Sequence, residues 1–179
     1  MNGKELFRVS KLLSLVLRHD PGHIGVMLDS NGYVSVDVLL ERLRSKGTHL
    51  TLENLQKLVA ENNKQRFAFS ADGTRIRASQ GHSVEVDLGY APKSPPELLY
   101  HGTATRFMTS IYEKGLLKGA RNHVHLSKDK ATAETVGKRH GTPHIFEVQA
   151  EAMVRDGFQF YLSDNGVWLT EHVPAKYLR

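Results

Sequence analysis

Ala91-Pro92-Lys93-Ser94-Pro95-Pro96 interrupts the chain midway. Proline fixes φ and lacks an amide hydrogen, so three of them in so short a stretch oppose helix and sheet alike. The chain is therefore expected to fold as two lobes, residues 1–91 and 97–179, on either side of a proline-rich linker at 92–96. A chain of 179 residues suits that division, and its 40% apolar content supplies a core without covalent staples.

The first lobe reads as three helices and a hairpin. Ser10 is a candidate cap for a helix that turns Leu12, Leu13, Val16 and Leu17 to one face and stops at Asp20-Pro21. Asn31-Gly32 marks a turn. Ser35 caps a second helix with Val38, Leu39 and Leu43 inward, ending near Gly47. Thr51 caps a third, with Leu52, Leu55, Leu58 and Val59 inward. After Asn62-Asn63 the apolar period falls from about 3.6 to 2. Phe67 and Phe69 alternate with polar or small neighbours, Asp72-Gly73 turns the chain, and Arg75-Ile76-Arg77 returns. Three helices followed by a β-hairpin is the element order of a winged helix.

The second lobe alternates strands and short helices. Leu98 to His101 reads as a buried strand ending at Gly102. A helix with Phe107, Met108 and Ile111 follows, closed by Gly115. His123–Ser127 is a short strand, Ala131–Lys138 a helix and His144–Gln149 a strand. Asp164-Asn165-Gly166 signals a hairpin between Phe158–Leu162 and Val167–Thr170. The expected class is α+β, with the second lobe β-rich.

Composition narrows the chemistry. There is no cysteine, so disulfides, thiolate catalysis and thiolate zinc sites are excluded, and a cytoplasmic protein is expected. No long apolar run predicts a membrane span, and Met1-Asn2-Gly3-Lys4-Glu5 lacks an export signal's apolar core. A net charge of +5 and a pI near 9.5 favour a polyanionic partner. No obligate protein partner is expected. Neither a GxGxxG fingerprint nor a GxxxxGK[ST] phosphate loop is present, nor a GxSxG elbow.

Individually, the polar residues that could do chemistry also have ordinary structural explanations. Arg18-His19 at a helix C-terminus complements the helix dipole, although a guanidinium fork beside an imidazole also makes an anion site. Arg66, Arg75, Arg77 and Arg121 read as surface charges. His101-Gly102-Thr103 is more suggestive, because a glycine after a strand histidine lets a ligand approach the backbone. His123 and His125 share one strand face, with His101 a conceivable third metal ligand. No carboxylate lies at a familiar ligand spacing, so no metal is expected.

Jointly these segments resemble the Tpt1/KptA RNA 2'-phosphotransferases. The matching stretches are Ser10-Lys11-Leu12-Leu13-Ser14-Leu15-Val16-Leu17-Arg18-His19, then Lys64-Gln65-Arg66-Phe67 through Gln80-Gly81-His82-Ser83. They continue with Leu99-Tyr100-His101-Gly102-Thr103, Arg121 with His123 to Ser127, Val136 to Gly141, and Asn165 to Thr170. The resemblance implies an N-terminal winged-helix RNA lobe and a C-terminal lobe like the ADP-ribosyltransferases. The implied reaction moves an internal RNA 2'-phosphate onto the co-substrate NAD, through a 2'-phospho-ADP-ribosylated RNA. Nicotinamide and ADP-ribose 1'',2''-cyclic phosphate are released. It further implies catalytic roles for Arg18, His19, Arg66 and Arg121, and NAD contacts for His101, Gly102, Thr103, His125, Ser127 and Arg139. Val167 would complete a His-His-apolar signature with His101 and His125. Arg75, Arg77, Gln80 and His82 are expected to steer the RNA backbone. A non-catalytic RNA-binding regulator, a transferase that caps terminal phosphates and a His-ligated metal hydrolase are the competing readings.

Overall fold

Helix α1 (Gly3–Arg18) begins well before the expected Ser10 cap. Asn2 caps it instead, accepting from Glu5 N while the Glu5 carboxylate accepts from Asn2 N, which satisfies two amides that helix geometry leaves over. The computed structural model describes residues 1–179, and these divide into two units, Met1–Gly89 and Tyr90–Arg179. The proline run at 92–96 lies within the second unit, where Lys93 N donates to Phe160 O. No helix is long and apolar enough to cross a membrane.

In the first unit the order after α1 is strand β1 (Val34–Ser35), helix α2 (Val36–Ser45), helix α3 (Leu52–Glu61), strand β2 (Phe67–Phe69) and strand β3 (Arg75–Ala78). Ser35 and Thr51 cap α2 and α3 as expected, each side chain accepting from an amide three residues on. The hairpin pairs Phe69 with Ile76 and Phe67 with Ala78. Asp72 clamps its turn by accepting from the Ser70 hydroxyl and from both the amide and hydroxyl of Thr74, which lowers its carboxyl to about 2. β1 adds a third strand that two residues of sequence pattern could not announce, giving the order β1-β3-β2.

The core of this unit gathers Leu13, Val16, Leu17, Leu39, Leu43, Leu55 and Ile76, all fully enclosed. Each such burial contributes about 1.5–3 kcal/mol. Val38 and Leu52, expected inward, are largely exposed. Leu39 and Leu55 already fill the core-facing positions of their first turns, so the flanking apolar residues are turned outward.

The second unit runs β4 (Leu98–Ala104), α4 (Met108–Lys114), β5 (Leu116–Leu117), β6 (Val124–Leu126), α5 (Lys130–Gly137), β7 (Pro143–Gln149), α6 (Ala150–Arg155), β8 (Phe160–Leu162), β9 (Trp168–Thr170) and β10 (His172–Val173). All its strand pairs are antiparallel: β4 with β7, β6-β9-β8, and β5 with β10. β4 continues through Gly102 to Ala104 rather than ending at the glycine. Tyr100 and Ser127 exchange both backbone hydrogen bonds, which joins β4 to the end of β6. Leu99, Phe146, Val148, Met153 and Phe160 form the centre of this unit's core.

Helix α5 lies against β4 through small residues. A Cβ built on Gly102 would stand 1.6 Å from Ala133 O, and one built on Gly137 would stand 2.8 Å from Thr103 O. Main chain therefore meets main chain, and only glycine fits at both positions.

Candidate functional site

In the first unit the candidate residues cluster at the C-terminal end of α1. Arg18 is the last helical residue and His19 the C-cap. The carbonyl of Arg18, which has no partner within the helix, accepts from Ser83 N at 2.9 Å and Val84 N at 3.3 Å. His19 Nδ1 lies 2.8 Å from Ser83 Oγ. Gly81, at φ +90°, passes its bare backbone beside the guanidinium, since a Cβ there would lie 3.6 Å from Arg18 Cζ and Nη1. The segment Gln80-Gly81-His82-Ser83 thus straps the helix end and holds Arg18 and His19 together.

Arg66 stands just before β2. Its backbone is fixed by Ser79, whose amide donates to Arg66 O and whose hydroxyl donates to Gln65 O. Gln65 is the one non-glycine residue in the left-handed region, at φ +43°. Such a conformation persists only where neighbours impose it, and here Gln65 N donates to Asn62 O while Gln65 O accepts from the Ser79 hydroxyl. The half-buried Arg66 side chain lines a cleft of about 310 Å³ with Ser10, Asn62 and Lys64.

Two residues expected to steer RNA are instead interior. Arg77 is 8% exposed, donates from Nη1 to Leu88 O and Asn31 O, and lies over the Tyr33 ring. It ties the strap's continuation to the Asn31-Gly32 turn. Its cation is thereby held by carbonyls and a ring face rather than presented to solvent. Arg75 pairs with Asp29 at 3.0 Å on the surface of the same turn.

His82 is 1% exposed, and neither ring nitrogen has a protein hydrogen-bond partner. Burial, followed by the nearby charges of Arg18, Arg77 and His19, pushes its pKa down to about 4. The folded chain then keeps His82 neutral while the unfolded chain protonates it near 6.5. Its contribution to stability is complete above pH 6.5, declines as pH falls and is exhausted below about 4. The integrated loss is about 3 kcal/mol. Chemical denaturation from pH 7 to 4 should show His82→Asn losing stability less steeply than wild type, by close to one proton. Equal slopes would remove His82 as the source.

In the second unit three candidates form a chain. Arg121 Nη1 donates to His125 Nδ1 at 2.9 Å, and His101 Nδ1 donates to His125 O at 3.0 Å. These partners fix the tautomers. Neutral His125 carries its hydrogen on Nε2 and is a donor there. His101, with its hydrogen on Nδ1, offers a lone pair at Nε2. Burial holds the His101 pKa below its usual value against the opposing bond to His125 O, and the charges of His140 and Arg121 lower it further. One imidazole acceptor and one imidazole donor suit a polyhydroxylated ligand such as a ribose.

Thr103 is nearly buried on β4 beside α5, and Ser127 is tied to Tyr100. Arg139 is exposed just beyond α5, and Val167 leads into β9. His123 stacks obliquely against Tyr161, with ring centroids 5.6 Å apart. The space on the Cβ side of Gly102 belongs to α5, so its missing side chain serves helix packing. Sequence reasoning passed over Ser83. Its partner His19 lies 64 residues away, beyond any local periodicity.

A family model described as RNA 2'-phosphotransferase, Tpt1/KptA family, matches residues 4–172. A probable RNA 2'-phosphotransferase of Flavobacterium johnsoniae is 54% identical over 178 residues, which cover 99% of this chain and 98% of that relative. One from Hahella chejuensis is 53% identical over 175 residues, covering 98% and 94%. One from Agrobacterium fabrum is 54% identical over 169 residues, covering 94% and 91%. With the match spanning both units and the residues above, the chain belongs to the Tpt1/KptA family of RNA 2'-phosphotransferases.

Proposed function

We propose that this chain removes an internal 2'-phosphate from RNA by transferring it to NAD, with a winged-helix first unit serving the RNA and an ADP-ribosyltransferase-like second unit serving NAD. The observation that carries the NAD reading is the Arg121–His125–His101 chain, which presents an imidazole donor, an imidazole acceptor and a guanidinium. His101, Gly102, Thr103, His125, Ser127 and Arg139 are the groups assigned to NAD, Gly102 also seating β4 against α5, and Val167 is the apolar member of the His-His-apolar signature.

In the first step a 2'-phosphate oxygen attacks the ribose carbon that bears nicotinamide. The carbon–nitrogen bond breaks, and its electron pair leaves with nicotinamide, which becomes neutral. In the second step the ribose 2''-hydroxyl attacks phosphorus, and the bond from phosphorus to the RNA 2'-oxygen breaks. The proton lost by the hydroxyl is balanced by one gained at the RNA oxygen. His19 is positioned by its chemistry to carry that proton. Arg18, Arg66 and Arg121 are assigned to the phosphoryl oxygens, where a planar two-pronged donor stabilises developing charge better than a point charge does.

Incubating the chain with NAD and a 2'-phosphorylated oligonucleotide is expected to yield nicotinamide, ADP-ribose 1'',2''-cyclic phosphate and a 2'-hydroxyl. Removal of the phosphate without nicotinamide release would sink the NAD reading. Nicotinamide release that stops at a phospho-ADP-ribosylated RNA would limit the chain to the first step.

A further inference from the structure

We propose that Ser83 is a positioning residue for His19: its hydroxyl holds Nδ1 so that the ring meets the RNA 2'-phosphate through Nε2. This rests on the function just assigned and adds a residue to it. Ser83 Oγ and His19 Nδ1 are 2.8 Å apart, although 64 residues separate them in the chain. A hydroxyl both donates and accepts. Accepting from Nδ1–H, it leaves Nε2 to take up and release the proton, and the same Nδ1 bond holds in the neutral and the protonated ring. The imidazole therefore keeps one orientation through a change of protonation, as a group that carries a proton must.

The strap makes this contact separable from the fold. Ser83 is already secured by its own amide, which donates to the Arg18 carbonyl, and Val84 N donates to the same oxygen. Gly81 backs the Arg18 guanidinium, and His82 is buried between them and the Asn31-Gly32 turn, its Nε2 being 3.3 Å from the position a Gly32 Cβ would take. Ser83 itself is exposed. Removing its hydroxyl leaves these backbone bonds and the buried imidazole in place and frees only the rotation of the His19 ring.

The test is Ser83→Ala in single-turnover assays with saturating NAD and 2'-phosphorylated oligonucleotide. Loss of a partner that orients a reacting imidazole is expected to slow phosphate removal about 10- to 100-fold. The NAD half-saturation and the melting temperature should stay unchanged, and the acid limb of the pH–rate profile should move. Ser83→Thr, which keeps the hydroxyl, is expected to restore most of the rate. In a His19→Ala background, assayed with enzyme in excess, Ser83→Ala should cause no further loss. A wild-type rate in Ser83→Ala, or an equal loss in the His19→Ala background, would overturn the proposal. The ring ¹⁵N shifts of His19 read the contact without substrate. If they are identical in wild type and Ser83→Ala, the contact itself is refuted. An inert wild-type chain whose ring shifts do respond would instead refute the functional assignment.

Discussion

Replacing Arg121 with alanine is expected to slow 2'-phosphate removal by about 10²- to 10³-fold, the range for losing one preorganised donor to a charge that develops in the transition state. Two effects combine. The cation that the proposed mechanism assigns to the phosphoryl oxygens is removed, and His125 loses the donor at Nδ1 that fixes its tautomer. Arg121→Lys should recover little, because an ammonium supplies a point charge and cannot hold an imidazole nitrogen and a phosphate oxygen in one plane. Single-turnover assays with labelled 2'-phosphate separate the steps. A build-up of phospho-ADP-ribosylated RNA places Arg121 in the second step, whereas slow nicotinamide release places it in the first. A rate equal to wild type would exclude it from the chemistry.

Gly102→Ala is expected to cost the second unit about 3 kcal/mol or more, at or beyond the upper end of ordinary overpacking. The added Cβ would stand 1.6 Å from Ala133 O and 2.5 Å from the carbonyl carbon of the same residue, so α5 must move off β4. Helix displacement would also break the shared boundary of Gly137 with Thr103. For a unit of this size the melting temperature should fall by about 15 °C. Gly3→Ala, with nothing within 4 Å of its new atom, serves as the control and should melt with wild type. If Gly102→Ala also melted with wild type, the account of α5 resting on bare strand backbone would be wrong.

Local chemistry was legible where side chains cap their own elements. Ser35 and Thr51 stand immediately before apolar runs of helical period, and both are caps. The start of α1 was misread because attention fell on the run from Leu12. Leu6 and Val9 continue the same face upstream, and Asn2 with Glu5 spells a capping box. β1, β5 and β10 are two residues each, too short for any period, and their pairing depends on tertiary placement. α6 follows β7 directly with no side-chain cap, so no residue announces its start.

Of the candidate site, the positions of Arg18 and His19 at a helix end and of His125 opposite Val124 and Leu126 were readable from phase alone. The interior fates of Arg77 and His82 were not. Arg77 is drawn inward by the carbonyls of Asn31 and Leu88 and the Tyr33 ring, and His82 is buried beside the Gly32 turn, and no local period foretells either placement. Gly102 was read as a place of close approach to the backbone, and α5 makes such an approach on its Cβ side.

The seating of α5 on β4 has a consequence for anyone reshaping this lobe. Where two elements touch through side chains, a swelling on one can be answered by trimming the other. Here the atom that a Gly102 methyl would strike is the oxygen of a peptide group, which every amino acid at position 133 brings with it. No second-site exchange can shave it away, so accommodation must come from re-threading the helix as a rigid piece.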